Sequence, residues 1–344
     1  MSEGGATGVL AAMRGQWASM TGMAFMFVST ILIGLSVQPI YNIPEARAFG
    51  EEGASKGAFV ALELAMIGVF TIVIIWLARR GLDFFIKAIV LFALWMSLFY
   101  AVQPYVALIL YFLGLDTLYV VALLSIVISS GSIYLLHIFP EWYVVNGVGI
   151  MVGAGVITLI GVSFVPILII AFMIAAAIYD YWAVNGSKHM LELADTMIDL
   201  KLPVLLVAPK NTDYSFIEQD DSVMRDKEIE VTKMDWDDPV PHIKKEGGPT
   251  KGRDALFMGL GDVIFPGMLV ISSVSFLPQT GGEVTYFSAF GVMYADSLTV
   301  AMGTLFGGLL GYFALMTQVA RGKPQAGLPL LNGGSILGLS LIHI

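Results

Sequence analysis

Apolar runs of about 20 residues recur along the whole chain, and each is long enough to cross a bilayer as a helix. No other feature limits the fold as strongly. Allowing roughly 17–25 residues per span, about nine are expected. The first five are Trp17–Val37, Gly57–Ala78, Phe84–Leu113 (with Pro104 inside, where a kink is expected), Thr117–Leu136 and Trp142–Val162. The others are Val165–Val184, Ala255–Leu277, Ser297–Val319 and a short last one, Leu328–Ile344. The expectation is an all-α polytopic membrane protein. Charged residues form only 13% of the 344, against about 25% in soluble domains, which agrees. The first run is long for a cleaved leader and is read as a retained span.

Three regions follow. Residues 1–184 form an N-terminal membrane bundle, 185–254 a hydrophilic segment, and 255–344 a C-terminal membrane bundle. Lys and Arg in the short loops set the orientation. With nine spans Arg14, Arg79, Arg80, Arg321 and Lys323 share one side, whereas the other has Arg47 and Lys56 in its first loop. The N-terminus and the long segment are therefore expected in the cytoplasm, and the C-terminus outside.

The net charge is −9, most of the acids gather in the hydrophilic segment, and no basic face balances them, so nucleic acid is not an expected partner. The chain has no cysteine, which excludes disulfides, thiolate nucleophiles and Cys-based metal sites. His137, His189, His242 and His343 form no cluster with metal-ligand spacing. A metalloprotease reading lacks ligands, and neither metal nor cofactor is expected.

Against this apolar background two acids stand out. Asp262 follows Gly259-Leu260-Gly261 near the start of the seventh span, and Asp180 follows Tyr179 near the end of the sixth. An intramembrane acid costs about 2.5–3.5 kcal/mol on insertion scales and points to function. Alone, Asp262 is open to three readings: a buried acid bonded to a neighbouring helix, an ion-coupling site, or a catalyst. At 1.5 Å per residue, Asp180 lies roughly 6 Å and Asp262 roughly 10 Å from the same membrane face. Antiparallel packing of the two spans would bring them face to face. Carboxylates held a few ångströms apart in low dielectric cannot both ionise, so they share a proton. The ionised member can then take a proton from an attacking water while the protonated member polarises a peptide carbonyl. The pair titrates as a unit, so neither acid is given a fixed role.

Tyr179-Asp180, Gly259-Leu260-Gly261-Asp262 and Pro329-Leu330-Leu331 together resemble the YD, GxGD and PAL motifs of the GxGD intramembrane aspartyl proteases. Within these the chain is most similar to an archaeal presenilin homologue. The third motif departs from the pattern, with leucine at 330 where the family has alanine. The resemblance implies hydrolysis of peptide bonds within single-pass transmembrane protein substrates, with Asp180 and Asp262 as the catalytic pair. It implies that Pro329, Leu330 and Leu331 shape the site and bind substrate. Gly259, Leu260 and Gly261 would hold the seventh helix close to its neighbours and contact substrate backbone. Tyr179 is either a residue that positions Asp180 or an interfacial aromatic anchor. The signal peptide peptidase branch shares the motifs in the opposite orientation, and the Lys/Arg pattern favours the presenilin branch. Partner subunits and oligomeric state are left open by the resemblance. The rival class is a transporter or channel using the two aspartates for ion or proton coupling, which would predict inverted repeats that the sequence does not display.

Other readings are structural. Gly303, Gly307 and Gly311, Gly149 and Gly153, and Gly334 and Gly338 have the small-xxx-small spacing of close helix contacts. Glu63 lies far in depth from the aspartates and is not assigned to catalysis. In the hydrophilic segment, residues 191–198 read as a helical continuation of the sixth span and 211–253 as largely disordered. Lys201–Pro209 is an apolar run bounded by prolines and suits a strand. Val204–Val207, or residues just before Ala255, would offer a strand edge to an unwound substrate, because a helix must be opened before its peptide bonds can be cut.

Overall fold

The computed structural model describes residues 4–47, 82–115, 117–182, 205–210, 255–278, 280–284, 292–319 and 326–343, with scattered positions between 62 and 80 and at 184, 214 and 215. Among these residues the chain forms eight α-helices. They are α1 Gly4–Tyr41, α2 Asp83–Phe112, α3 Leu118–Ile138, α4 Trp142–Gly161, α5 Pro166–Trp182, α6 Leu260–Phe276, α7 Ala295–Val319 and α8 Leu328–His343. Five contain stretches of length and hydropathy suited to crossing a membrane, and α5, α6 and α8 are shorter apolar helices. Of the expected second span, Leu62, Ala65, Met66, Val69, Val73, Trp76 and Leu77 are described, and all are helical. Glu63 lies outside the described residues, as do the expected helical extension at 191–198 and nearly all of 211–253.

Pro104 sits inside α2 without ending it. The centre of the bundle is α4, whose buried face packs against α1, α2 and α6. Glycine permits this proximity at specific points. A methyl on Gly161 would meet the Ile271 side chain of α6 at 2.5 Å, and one on Gly267 would meet Ile157 of α4 at the same distance. Ser97 of α2 donates to the Val152 carbonyl of α4 at 2.7 Å. Helices α7 and α8 are paired through the expected glycines: a methyl on Gly307 would overlap the Gly334 carbonyl, and one on Gly311 the Leu330 carbonyl. The small-xxx-small stripes on these two helices therefore face each other, which is how they permit close backbone approach. Gly153 of α4 serves a different neighbour, with Thr30 of α1 and Leu260 of α6 against it.

Four short strands also occur among the described residues: β1 Leu205–Pro209, β2 Ala255–Gly259, β3 Glu283–Val284 and β4 Met293–Tyr294. β1 pairs antiparallel with β2, with Leu205 opposite Gly259 and Pro209 opposite Ala255. The strand expected between the prolines is present. The seventh span, however, does not begin at Ala255. Residues 255–259 are β2, and the helix starts at Leu260. Hydropathy cannot separate a five-residue apolar strand from the first turn of an apolar helix. The pairing partner decides it, and that partner lies in the segment 185–254.

Candidate active site

One end of the bundle gathers the C-terminus of α5, the N-termini of α6 and α8, and the β1–β2 sheet. Helix α5 is fastened there by polar ties to α8. Asn332 of α8 donates to the Met173 carbonyl of α5 at 2.9 Å, and the Leu328 amide donates to Asp180 Oδ2 at 3.1 Å. The Gly327 amide bonds the same carboxylate. These amides are free to do so because they open a helix and have no partner one turn earlier. Pro329 fits the first turn, where its missing N–H breaks no bond. Asp180 thus closes the N-terminus of α8 from a different helix. It is buried, at 7% exposure.

Asp262 lies in the first turn of α6, three residues beyond Gly259 at the N-cap. Its carboxylate reaches back to the Gly259 amide, the acidic half of a capping box. Pro266, four residues on, has no N–H to close on the Asp262 carbonyl. Asp262 is half-buried and close enough to Asp180 for their charges to interact. Gly327 lies beside both. A methyl there would sit 2.8 Å from Asp262 Oδ2, while the amide of the same residue is bonded to Asp180.

The motif residues divide by environment. Leu260 is buried and packs toward Gly153 of α4. Gly259 and Gly261 do not hold α6 against its neighbours, contrary to expectation. A methyl on Gly261 would meet nothing within 4 Å, and one on Gly259 would meet only the Asp262 carboxylate at ordinary contact distance. The physical reason is position: both glycines precede the packed part of α6, at the strand-to-helix junction, and Gly261 is exposed beside Asp262. Leu331 is buried, Pro329 and Leu330 are half-buried, and the Leu330 carbonyl lies against Gly311. Tyr179 is 51% exposed, its ring 6.3 Å from that of Trp182.

Three contributors at this end were not picked out from the sequence. Gly327 and Leu328 act through backbone amides, which carry no residue-type signal. Asn146 of α4, 6% exposed, donates to the Val207 carbonyl at 2.7 Å and accepts from the Val207 amide at 2.8 Å. A lone carboxamide in the apolar fifth span was the available clue. No group of three or more potential metal ligands occurs among the described residues.

A family model described as signal-peptide peptidase, presenilin aspartyl protease matches residues 23–344. The chain belongs to this family. Two solved structures of a presenilin family intramembrane aspartate protease, in C222 and P2 space groups, are each 26% identical to it. The first covers 94% of this chain and 98% of its own, with a TM-score of 0.59. The second covers 94% and 96%, with a TM-score of 0.56. No curated protein sequence matches significantly. The protein is a polytopic membrane aspartic endopeptidase that cuts within transmembrane segments. In this protease the convergence of α5, α6 and α8 gathers all three motif regions at one end.

Proposed function

We propose that Asp180 and Asp262 are the catalytic pair and that they share one proton. The observation that carries this reading is Gly327, whose backbone lies against one carboxylate and is bonded to the other. The ionised member accepts a proton from water as its oxygen attacks the peptide carbonyl carbon. The protonated member donates a hydrogen bond to the carbonyl oxygen, which becomes the oxyanion of the tetrahedral intermediate. Collapse breaks the C–N bond, and the proton passes to the leaving amine. Substrate backbone reaches the pair over the open side of Gly261. Pro329, Leu330 and Leu331 shape the wall opposite, and Tyr179 serves as an anchor at the membrane interface.

The substrate is a single-pass transmembrane helix, unwound at the site beside the β1–β2 sheet. The outer edge of β1 is closed between residues 207 and 209. Both backbone groups of Val207 are taken by Asn146, the Pro209 carbonyl accepts from Ser19 Oγ at 2.7 Å, and proline has no amide. In an antiparallel pair, opposed residues alternate between facing groups and outward groups. Val207 turns its groups outward, so Phe257 opposite it directs its own away from β1. That edge of β2 leads straight into Gly259–Asp262. Of the expected edge at Val204–Val207, the Val207 position is therefore closed to a substrate strand.

The N-terminus and the 185–254 segment are read as cytoplasmic, with the aspartates in the cytoplasmic half of the bilayer. Arg14, Arg79, Arg80, Arg321 and Lys323 support this side. The deciding experiment is cleavage of a transmembrane peptide by the purified full chain in detergent. Asp180→Asn and Asp262→Asn should each lower the rate by about 10²–10⁴-fold, the usual contribution of general acid–base groups. Full activity in either variant overturns the pair.

A further inference from the structure

We infer that Asn332 and Ser335 hold an internal water molecule on α8, one turn deeper in the bundle than the aspartates, and that this water supplies hydrolysis. The supply role rests on the aspartate-pair reading above, whereas the binding site stands without it. Among the described residues four buried side-chain polar atoms have no hydrogen-bond partner, and two of them, Asn332 Oδ1 and Ser335 Oγ, lie three residues apart on α8. Their residues are 1% and 0% exposed. At 3.6 residues per turn they stand roughly 60° apart around the helix, on one side of it.

The Ser335 hydroxyl is not used within its own helix. Thr30, Ser125, Ser273 and Thr304, also buried, each donate to the carbonyl four residues earlier, at 2.7–2.8 Å. Ser335 does not. A methyl on Gly308 of α7 would sit 2.5 Å from Ser335 Oγ and 3.7 Å from Pro266 Cβ of α6. The hydroxyl is thus beside the proline whose missing N–H leaves the Asp262 carbonyl without the donor four residues on. Asn332 uses its amide on the Met173 carbonyl of α5 and has its oxygen left over. The groups on hand are two acceptors, Asn332 Oδ1 and the Asp262 carbonyl, and one hydroxyl that can donate. Water matches this set: it donates to the two acceptors and accepts from Ser335, the about three bonds usual for a buried water.

The position suits supply. Leu328, whose amide bonds Asp180, precedes Asn332 by four residues, about 6 Å along α8. Each peptide bond cut consumes one water, whose oxygen ends in the new carboxyl group. A substrate seated at the aspartates displaces bulk water, and a water held one turn inside is still at hand.

The test uses the purified full chain in detergent, with kcat and KM on a transmembrane peptide and Tm. Ser335→Ala removes one partner of the water. It should lower kcat about tenfold, the equivalent of one hydrogen bond, lower Tm, and leave KM unchanged because Ser335 is out of reach of substrate. A dry hydroxyl predicts the opposite, since deleting an unpaired buried polar group is stabilising. A raised Tm therefore overturns the site, and an unchanged kcat overturns its role in supply. Should the variant fail to fold, the parent chain gives the second reading. Magnetisation transfer from water to the isotope-labelled Asn332 carboxamide should be seen by NMR, and its absence overturns the site. Activity retained in Asp180→Asn or Asp262→Asn overturns the pair and the supply role with it. A missing water signal with both aspartate variants inactive overturns this inference alone.

Discussion

Gly327 shows how much of the site is made by a residue without a side chain. Its amide bonds Asp180, and the position a methyl would take is 2.8 Å from Asp262 Oδ2 and 3.0 Å from Cγ. Alanine there would push the Asp262 carboxylate aside, since the three atoms nearest the added methyl all belong to it. Gly327→Ala should therefore lower kcat by about 10²-fold, the scale expected of a misplacement near 1 Å, and leave Tm nearly unchanged. A normal kcat measured on the transmembrane peptide would show that the carboxylate has room to move. The aspartates themselves were legible because acids are rare in apolar runs. Gly327 was not, since a glycine before Leu328-Pro329 reads simply as the end of a loop. Gly261 gives the complementary lesson: of its two expected roles, packing and contact with substrate backbone, the first is removed because a methyl there would meet nothing within 4 Å.

At the scale of elements, the β1–β2 pair changes how the seventh span is understood. Leu206 and Ala208 face β2 with their backbone groups, given that Val207 faces Asn146. Leu206→Pro should therefore remove a ladder bond to Met258 and lower cleavage by at least about tenfold, the equivalent of one net hydrogen bond. Assembly of the bundle, read by size-exclusion elution, should hold. Cleavage at the parental rate would remove the sheet from the mechanism. The α7–α8 pair is a different case, because its glycines had a spacing that already implied contact. Gly307→Ala would place a methyl against the Gly334 carbonyl, which is backbone and cannot turn away. Overpacking of this kind costs about 1–3 kcal/mol, so Tm should fall clearly in detergent. An unchanged Tm would mean that the two helices can separate without loss.

On the scale of the whole molecule, the proposed orientation can be read directly because the chain has no cysteine. Thr212→Cys lies in the hydrophilic segment and introduces a single thiol. It should react with a membrane-impermeant maleimide in inside-out vesicles and stay unlabelled in intact cells; the reverse result inverts the topology and with it the orientation of substrates. The convergence of α5, α6 and α8 depends on this alternation of helices, since neighbouring antiparallel spans return their ends to the same membrane face. Two polar ties, from Asn332 and Leu328, then fasten α5 beside α8.

Apolar runs and sparse charge were enough to specify a helical membrane bundle and to single out two acids within it. These follow from the sequence because hydrocarbon imposes the same demand on every span, whatever its neighbours. What surrounds the aspartates came from the tertiary structure: amides of Gly327 and Leu328 on Asp180, and Asn146 on the edge of β1. It also decided that Ala255–Gly259 is a strand and Leu260 the true start of the helix. An apolar pentapeptide satisfies its backbone equally well in a helix or beside a strand. Only the presence of Leu205–Pro209, brought there from the hydrophilic segment, selects between them.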